Sequence, residues 1–276
     1  MAAAVNGLFA EHGLDVEVLD PSGGPDNVVR VGQGGPDFAL TSVQHYLTAR
    51  DSHGEVGARF VAMIVQRSPV GALVPVSSGR SRPEDLAGCR LGADPANPQV
   101  SELLATLAYR GIAAPVVVEM DGAEARAALG RGEVDAIVAL VDALPRRRRQ
   151  AGVDLRAVRV GRDDVYGSGL VAADSASDTL VRQVRAAVAA ALEAQRRQPD
   201  AGLDAMSERY TDDLREDAPE SWDILEDLVF TGVPVGTMDE AQWRTTLEFL
   251  CAARDLTVPE PSSVYRPELV GAPVPG

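Results

Sequence analysis

Thr41 and Ser42 stand where chemistry could start. They follow the short apolar run Phe38-Ala39-Leu40 and open a helix, so two hydroxyls and several unpaired backbone amides meet at one point. Such a helix start suits a polar or anionic group of a small molecule, although plain N-capping would use the same hydroxyl. Asp94, Asn97 and Gln99 sit at a second point of this kind, with Asn97 as cap and Pro98 in the first helical position. Ser22-Gly23-Gly24 is a turn in which bare backbone could approach a ligand. Gln66, Arg67 and Ser68 end a buried strand. The Arg67 fork could bind two oxygens of a carboxylate or sulfonate, or pair with Asp163 or Asp164. Asp142 ends another strand, where it could meet a ligand or cap a helix. Tyr166 could stack on a planar ligand or pack in a hinge. His45, one turn into the helix after Ser42, is the histidine best placed for acid–base work.

The elements that must position these residues come in two copies. Gly32-Gln33-Gly34-Gly35-Pro36-Asp37 followed by an apolar run reads as helix end, turn and strand. Gly130-Arg131-Gly132-Glu133-Val134-Asp135-Ala136-Ile137 repeats it 98 residues on, Gly32 becoming Gly130. The same displacement carries Gly13 to Gly111 and Gly24 to Gly122. The repeat predicts two similar α/β lobes. Applied to Arg90–Ala93, it places an equivalent strand ahead of Met1, so the first strand is expected to be missing from this chain.

In order, the patterns predict a helix at 2–11, a strand at 14–19, and a short helix to Val31 capped by Asp26 or Asn27. Strands follow at 37–40, 58–65 and 71–76, with a helix at 43–50. Ser77-Ser78-Gly79-Arg80-Ser81 has linker composition and Arg162–Ser168 resembles a second linker, which predicts hinge crossings near 77–81 and 162–168. Residues 1–78 and 168–276 would then form one lobe and 79–167 the other. In the second lobe the reading alternates strands at 90–93, 115–120, 134–140 and 155–160 with helices at 98–110 and 123–129 and another from about 145. A strand at 170–173 and helices at 177–197, 200–210, 218–230 and 239–253 complete it, with the tail 263–270 extended over the first lobe. Strand–helix alternation means a mostly parallel sheet flanked by helices in each lobe. Ligands of such sheets sit off the carboxyl ends of the strands, which points to the cleft between the lobes.

Composition removes whole classes of function. At 276 residues, with 26 basic and 41 acidic side chains, the net charge of −15 argues against nucleic acid, and Arg146–Arg149 reads as a solvated face. Every basic residue except three histidines is arginine, so no lysine can form a Schiff base with pyridoxal phosphate. Cys89 and Cys251 fall in different predicted lobes, so no disulfide is expected, and no spacing suits a metal. No cofactor is expected. No apolar run reaches membrane-spanning length and no signal peptide is visible.

Gly7-Leu8-Phe9-Ala10-Glu11-His12-Gly13-Leu14-Asp15, Gly32–Ser42, Asp85-Leu86-Ala87-Gly88-Cys89-Arg90, Gly130–Ile137 and Tyr265-Arg266-Pro267-Glu268-Leu269 together resemble type II periplasmic binding proteins. The resemblance is to the branch serving sulfonate, taurine and nitrate importers and thiamine-pyrimidine precursors, and it covers nearly the whole chain. It implies a solute-binding protein that feeds the permease and ATPase of an ABC importer. It also implies a monomer, secreted or lipid-anchored if a signal precedes the chain and cytoplasmic if the chain is complete. Enzymes of the same fold set the alternative. The pyridoxal-phosphate synthases need a lysine and the desulfinases a first-strand cysteine, neither of which is here; a cofactor-free lyase or hydrolase of the chorismate dehydratase kind stays open. The expected role is capture of a small polar or anionic organic solute between the lobes.

Overall fold

The computed structural model describes residues 7–20, 22–199 and 212–272. The elements are α1 (Leu8–Glu11), α2 (Gly24–Gly32), β1 (Phe38–Ser42), α3 (Val43–His53), β2 (Ala58–Met63) and β3 (Val70–Pro75). They continue with β4 (Arg90–Ala93), α4 (Pro98–Tyr109), β5 (Val116–Glu119), α5 (Gly122–Arg131), β6 (Ala136–Leu140) and α6 (Leu144–Ala151). The chain closes with β7 (Leu155–Arg159), β8 (Ser168–Ala173), α7 (Asp178–Arg197), α8 (Asp212–Val229) and α9 (Glu240–Ala252). No helix among the described residues is long and apolar enough to cross a membrane.

The internal repeat is structural. Shifted by 98 residues, α2 and β1 fall on α5 and β6, and the two strands begin and end at matching positions. The glycines explain why. Gly34 and Gly132 both turn the chain with positive φ, 80° and 73°, which side chains resist. Gly32 and Gly130 let each helix end press on a neighbouring backbone. A Cβ on Gly32 would run into the Val56 carbonyl, and one on Gly130 would lie 2.6 Å from that of Ala151.

The strands form a three-stranded sheet, β1-β8-β2, and a five-stranded sheet, β5-β4-β6-β3-β7. Most strands of each sheet share a direction. The exceptions are β8 in the first and β3 in the second, each antiparallel to both its neighbours. Both enter directly from the other sheet, and that is the physical reason for their reversed direction.

This pairing corrects the first crossing. β3 belongs to the five-stranded sheet, so the chain changes sheets at 64–69, and 76–78 is only a short 3₁₀ turn after β3. The return runs between β7 and β8. The two crossings are bonded side by side: Ile64 and Val65 amides donate to the Ser168 carbonyl (3.0 and 2.8 Å), Gly167 to Val65 (3.0 Å) and Ser68 to Arg162 (3.1 Å).

Other expectations also shift. Residues 14–19 alternate in polarity but belong to no strand among the described residues. Gly23, rather than Asp26 or Asn27, caps α2, since the Asn27 carboxamide oxygen instead accepts from the Ser22 amide at 3.0 Å. The helix expected from 218 starts by Asp212 and carries Pro219 inside it. The helices expected at 2–11 and 200–210 lie wholly or partly outside the described residues.

An aromatic cluster fixes α9 and the C-terminal segment to the first sheet. Trp243 stacks on Tyr265 (5.0 Å) and meets Phe60 and Tyr166 at 5.1 Å each. The tail bonds to β2, the Phe60 amide donating to the Val264 carbonyl and the Arg266 amide to that of Phe60. The second sheet packs Leu91, Val158 and Val70 against Leu103 and Leu107 of α4.

Candidate functional site

A cavity of about 540 Å³ opens where β1 and β6 end, against the crossings. Its lining combines Gly23 and Gly24 at the start of α2, Thr41–Ser42 with Gln44 and His45 at the start of α3, and Gln99 and Glu102 in the first turns of α4. Ser68 and Pro69 from one crossing with Val70 of β3, Tyr166 and Gly167 from the other with Ser168 of β8, and Asn27, Leu40 and Leu140 complete it. The helix starts are there because short turns deliver each strand end directly into a helix, and their amides carry partial positive charge.

Ser42 caps α3, its hydroxyl accepting from the His45 amide at 3.1 Å. Gly24 is needed because a side chain there would strike the His45 ring. Burial lowers the pKa of His45, which keeps its imidazole neutral at pH 7. The Thr41 hydroxyl has one long contact, 3.5 Å to the Ser42 carbonyl. The Tyr166 hydroxyl is used by the fold: it accepts from the Asp239 amide at 2.8 Å.

Glu102 is the chemical centre of the cavity and is 2% exposed. One carboxylate oxygen accepts from the Gln44 amide of α3 and the other from the Ser68 hydroxyl of the first crossing. Desolvation pushes its carboxyl up to about 7, while those hydrogen bonds and the Arg159 charge pull the other way. Cap and turn signals do not single out Glu102, but its helix carries one that does. Gln99, Glu102 and Thr106 follow helical spacing and form a polar column beside the apolar stripe Val100, Leu103 and Leu107.

Of the residues singled out from sequence, Gly23, Gly24, Thr41, Ser42, Ser68, Gln99 and Tyr166 line the cavity. The others do not. Ser22 is held outside by Asn27 and Arg30, whose guanidinium donates to its hydroxyl at 3.0 Å. Asp94 is exposed and closes its own turn onto the Ala96 amide, and Asn97 spends its carboxamide capping α4. The Gln66 side chain donates to the Met63 and Thr237 carbonyls (2.8 and 3.1 Å) and holds the crossing to the C-terminal region. Asp142 sits in the turn after β6, packed towards α8, with one carboxylate oxygen buried and unpaired.

Arg67 is the largest correction. It lines a separate cavity of about 710 Å³ with Val141, Arg148, Arg159 and Asp227. Successive residues of an extended chain point to opposite sides, so Ser68 faces one cavity and Arg67 the other. Leu140 and Val141 divide in the same way. No ion pair to Asp163 or Asp164 forms either; those carboxylates pair with Arg159 (2.8 Å) and Arg162 (2.6 Å). The larger cavity is flanked by ion pairs between α6 and α8, such as Arg149 with Asp217 at 2.8 Å. The C-terminal ends of β1 and β6 and the first turns of α2, α3 and α4 converge on the smaller one, which is therefore the candidate site.

A family profile described as NMT1/THI5-like matches residues 1–202. The chain belongs to the NMT1/THI5-like family. No curated protein matches the sequence. Among solved structures, the alkanesulfonate-binding protein SsuA of Xanthomonas axonopodis pv. citri, bound to MOPS, aligns with TM-score 0.67 and 18% identity, over 98% of this chain and 92% of that one. The periplasmic aliphatic sulphonate-binding protein SsuA of Escherichia coli gives 0.68 and 15%, over 96% and 89%. The ligand-binding component of an ABC-type import system from Staphylococcus aureus gives 0.66 and 13%, over 98% and 94%. At these identities the likeness is one of fold. This NMT1/THI5-like chain has the two-lobed α/β fold of periplasmic binding proteins, and its candidate site lies between the two sheets.

Proposed function

We propose that this protein is the solute-binding component of an ABC importer, holding a small polar organic molecule between its lobes and delivering it to a membrane permease driven by an ATPase. The observation that carries the reading is the composition of the 540 Å³ cavity, whose walls come from both sheets and both crossings. A solute there touches every part that moves when two lobes close about a hinge, so binding and closure are coupled. The fold neighbours include proteins named for sulfonate binding and ABC import, which supports an extracytoplasmic setting. One chain supplies all of these walls, which suits a binder that works as a monomer. The anchors are Thr41, Ser42, Ser68, Gln99 and Glu102, with Tyr166 as a ring wall.

The test is a thermal-shift screen of polar organic solutes, followed by calorimetry and small-angle scattering on the hits. A solute that raises the melting temperature, binds one to one and shrinks the radius of gyration supports the reading. One that is chemically changed during the titration overturns it in favour of a cofactor-free enzyme. The observation behind that second reading is that Glu102, whose carboxyl burial pushes up to about 7, and His45, whose pKa burial lowers, line one cavity, a pairing that suits proton transfer.

A further inference from the structure

We propose that Glu102 selects the solute: the cleft takes an organic molecule that presents an N–H-donating or cationic group to this carboxylate and rejects fully anionic molecules of the same shape. The inference rests on the cleft being the solute site and names the class of solute it takes.

The argument is one of charge and donor supply. No arginine lines this cavity among the described residues. Arg67 on the first crossing and Arg159 at the end of β7 line the other one, and Arg162 on the second crossing is held by Asp164 at 2.6 Å and lies over the Tyr109 ring, lining neither. The Arg159 guanidinium is tied there to the Ser68 carbonyl at 2.9 Å and to Asp163 at 2.8 Å. The titratable groups around Glu102 are therefore His45 on α3, Tyr166 on the second crossing and the more distant Arg159 on β7. Burial keeps the first two neutral near pH 7, lowering the imidazole and raising the phenol. A solute carboxylate or sulfonate beside Glu102 would face a buried like charge with no cation in the cavity wall to balance the two, an arrangement that is strongly disfavoured.

Donors are the complement the site lacks. An ionised carboxylate has about four acceptor positions, and Gln44 and Ser68 occupy one on each oxygen. The positions left open are on a side chain that lines the cavity. A solute N–H or ammonium fills one of them with a charge-assisted hydrogen bond. The helix starts at Gly24 and Ser42, in the same lining, offer partial positive charge, enough for a carbonyl or hydroxyl oxygen without a formal anion. Leu40, Pro69, Val70, Leu140 and the Tyr166 ring supply apolar surface for a planar body between the two ends.

Three probes of one shape test this: benzamidine as cation, benzamide as neutral N–H donor and benzoate as anion. Calorimetry is run with the full chain at pH 8, where Glu102 is ionised, and at pH 6. The expected order at pH 8 is benzamidine, then benzamide, then benzoate, with roughly tenfold or more between the ends of the series. At pH 6 the gap narrows. The isosteric variant Glu102→Gln should abolish the preference and tighten benzoate. The inference is overturned if benzoate binds best at pH 8, if the order ignores pH, or if Glu102→Gln weakens all three equally, as a purely structural role would. Should the variant not fold, the pH series on the unaltered chain decides alone. If all three bind with an order indifferent to pH and to Glu102, the cleft remains a binding site and only the selection fails. If none of them and no screened solute binds, the proposed function falls as well.

Discussion

Glu102 of α4 accepts a hydrogen bond from Gln44 of α3, and that bond ties the five-stranded half of the molecule to the three-stranded half at the floor of the cleft. Ser68, on the first crossing, bonds the other carboxylate oxygen. One buried carboxylate thus gathers a helix from each half and the crossing between the sheets. Its charge state bears on both stability and the geometry of the cleft.

Gln44→Leu should show this directly. The substitution keeps the volume but leaves a buried carboxylate with one donor fewer, a loss of about 1–3 kcal/mol. The loss should be larger at pH 8 than at pH 6, since only the ionised carboxylate is deprived. Denaturant melts at the two pH values measure it, and an equal loss at both would mean that Gln44 does not serve the charged form.

The pH dependence of stability follows with a definite sign. The folded-state pKa of Glu102, about 7, lies above its ordinary 4.5. Its contribution is therefore complete below about pH 4.5 and is lost as pH rises through 7. The stability difference between the native chain and Glu102→Gln should fall by on the order of 3 kcal/mol from pH 4.5 to 8 and stay flat above that. The exposed carboxylates Asp85 and Asp121, held below their ordinary range by backbone amides, act in the opposite direction in both proteins and cancel in the difference. A difference that does not change with pH would show that Glu102 is not the titrating group.

Duplication gives a third prediction. Gly32→Ala and Gly130→Ala place a methyl against a carbonyl of the adjoining backbone, and each should cost about 1–3 kcal/mol, Gly32 more, because its contact is the tighter. Gly34→Ala and Gly132→Ala meet open space and lose only through positive φ, about 1–2 kcal/mol. Melting temperatures of the four variants check the order. A harmless Gly32→Ala would break the packing argument for that half.

One half of the site is readable in the sequence and the other is hidden. β1, α3 and the Thr41–Ser42 junction are legible because the repeat fixes where a strand ends and a helix starts. Glu102 is not, because caps and turns mark the ends of elements and this residue lies one turn inside α4. The first crossing is misplaced for a related reason. Ser77–Ser81 has a linker's composition because it is a surface turn, whereas the true crossing at 64–69 is mostly buried and reads only as the end of a buried strand and the break after it. Composition reports exposure, and a buried crossing does not advertise itself. Arg67 fails on a single bit of information. Which of two neighbours in an extended segment faces the cleft is set by the sheet beside it, which one chain segment does not encode.

That bit is open to measurement, and it gives the last prediction. Arg67 and Ser68 are adjacent and line different cavities, so their alanine variants should behave differently. Ser68→Ala removes a donor from the buried Glu102 carboxylate and should cost about 1–3 kcal/mol of stability, together with affinity for any solute that benzamidine displaces. Arg67→Ala removes a half-exposed side chain from the cavity behind the crossings and should change stability by no more than about 0.5 kcal/mol. Affinity for the same solute should be unchanged. Melting curves and titrations on both variants separate the outcomes. A marked loss of affinity in Arg67→Ala at constant melting temperature would mean that its guanidinium reaches the solute once the lobes close. The cleft would then carry a cation after all, and the case for a donor-bearing solute would have to yield to one for an anion.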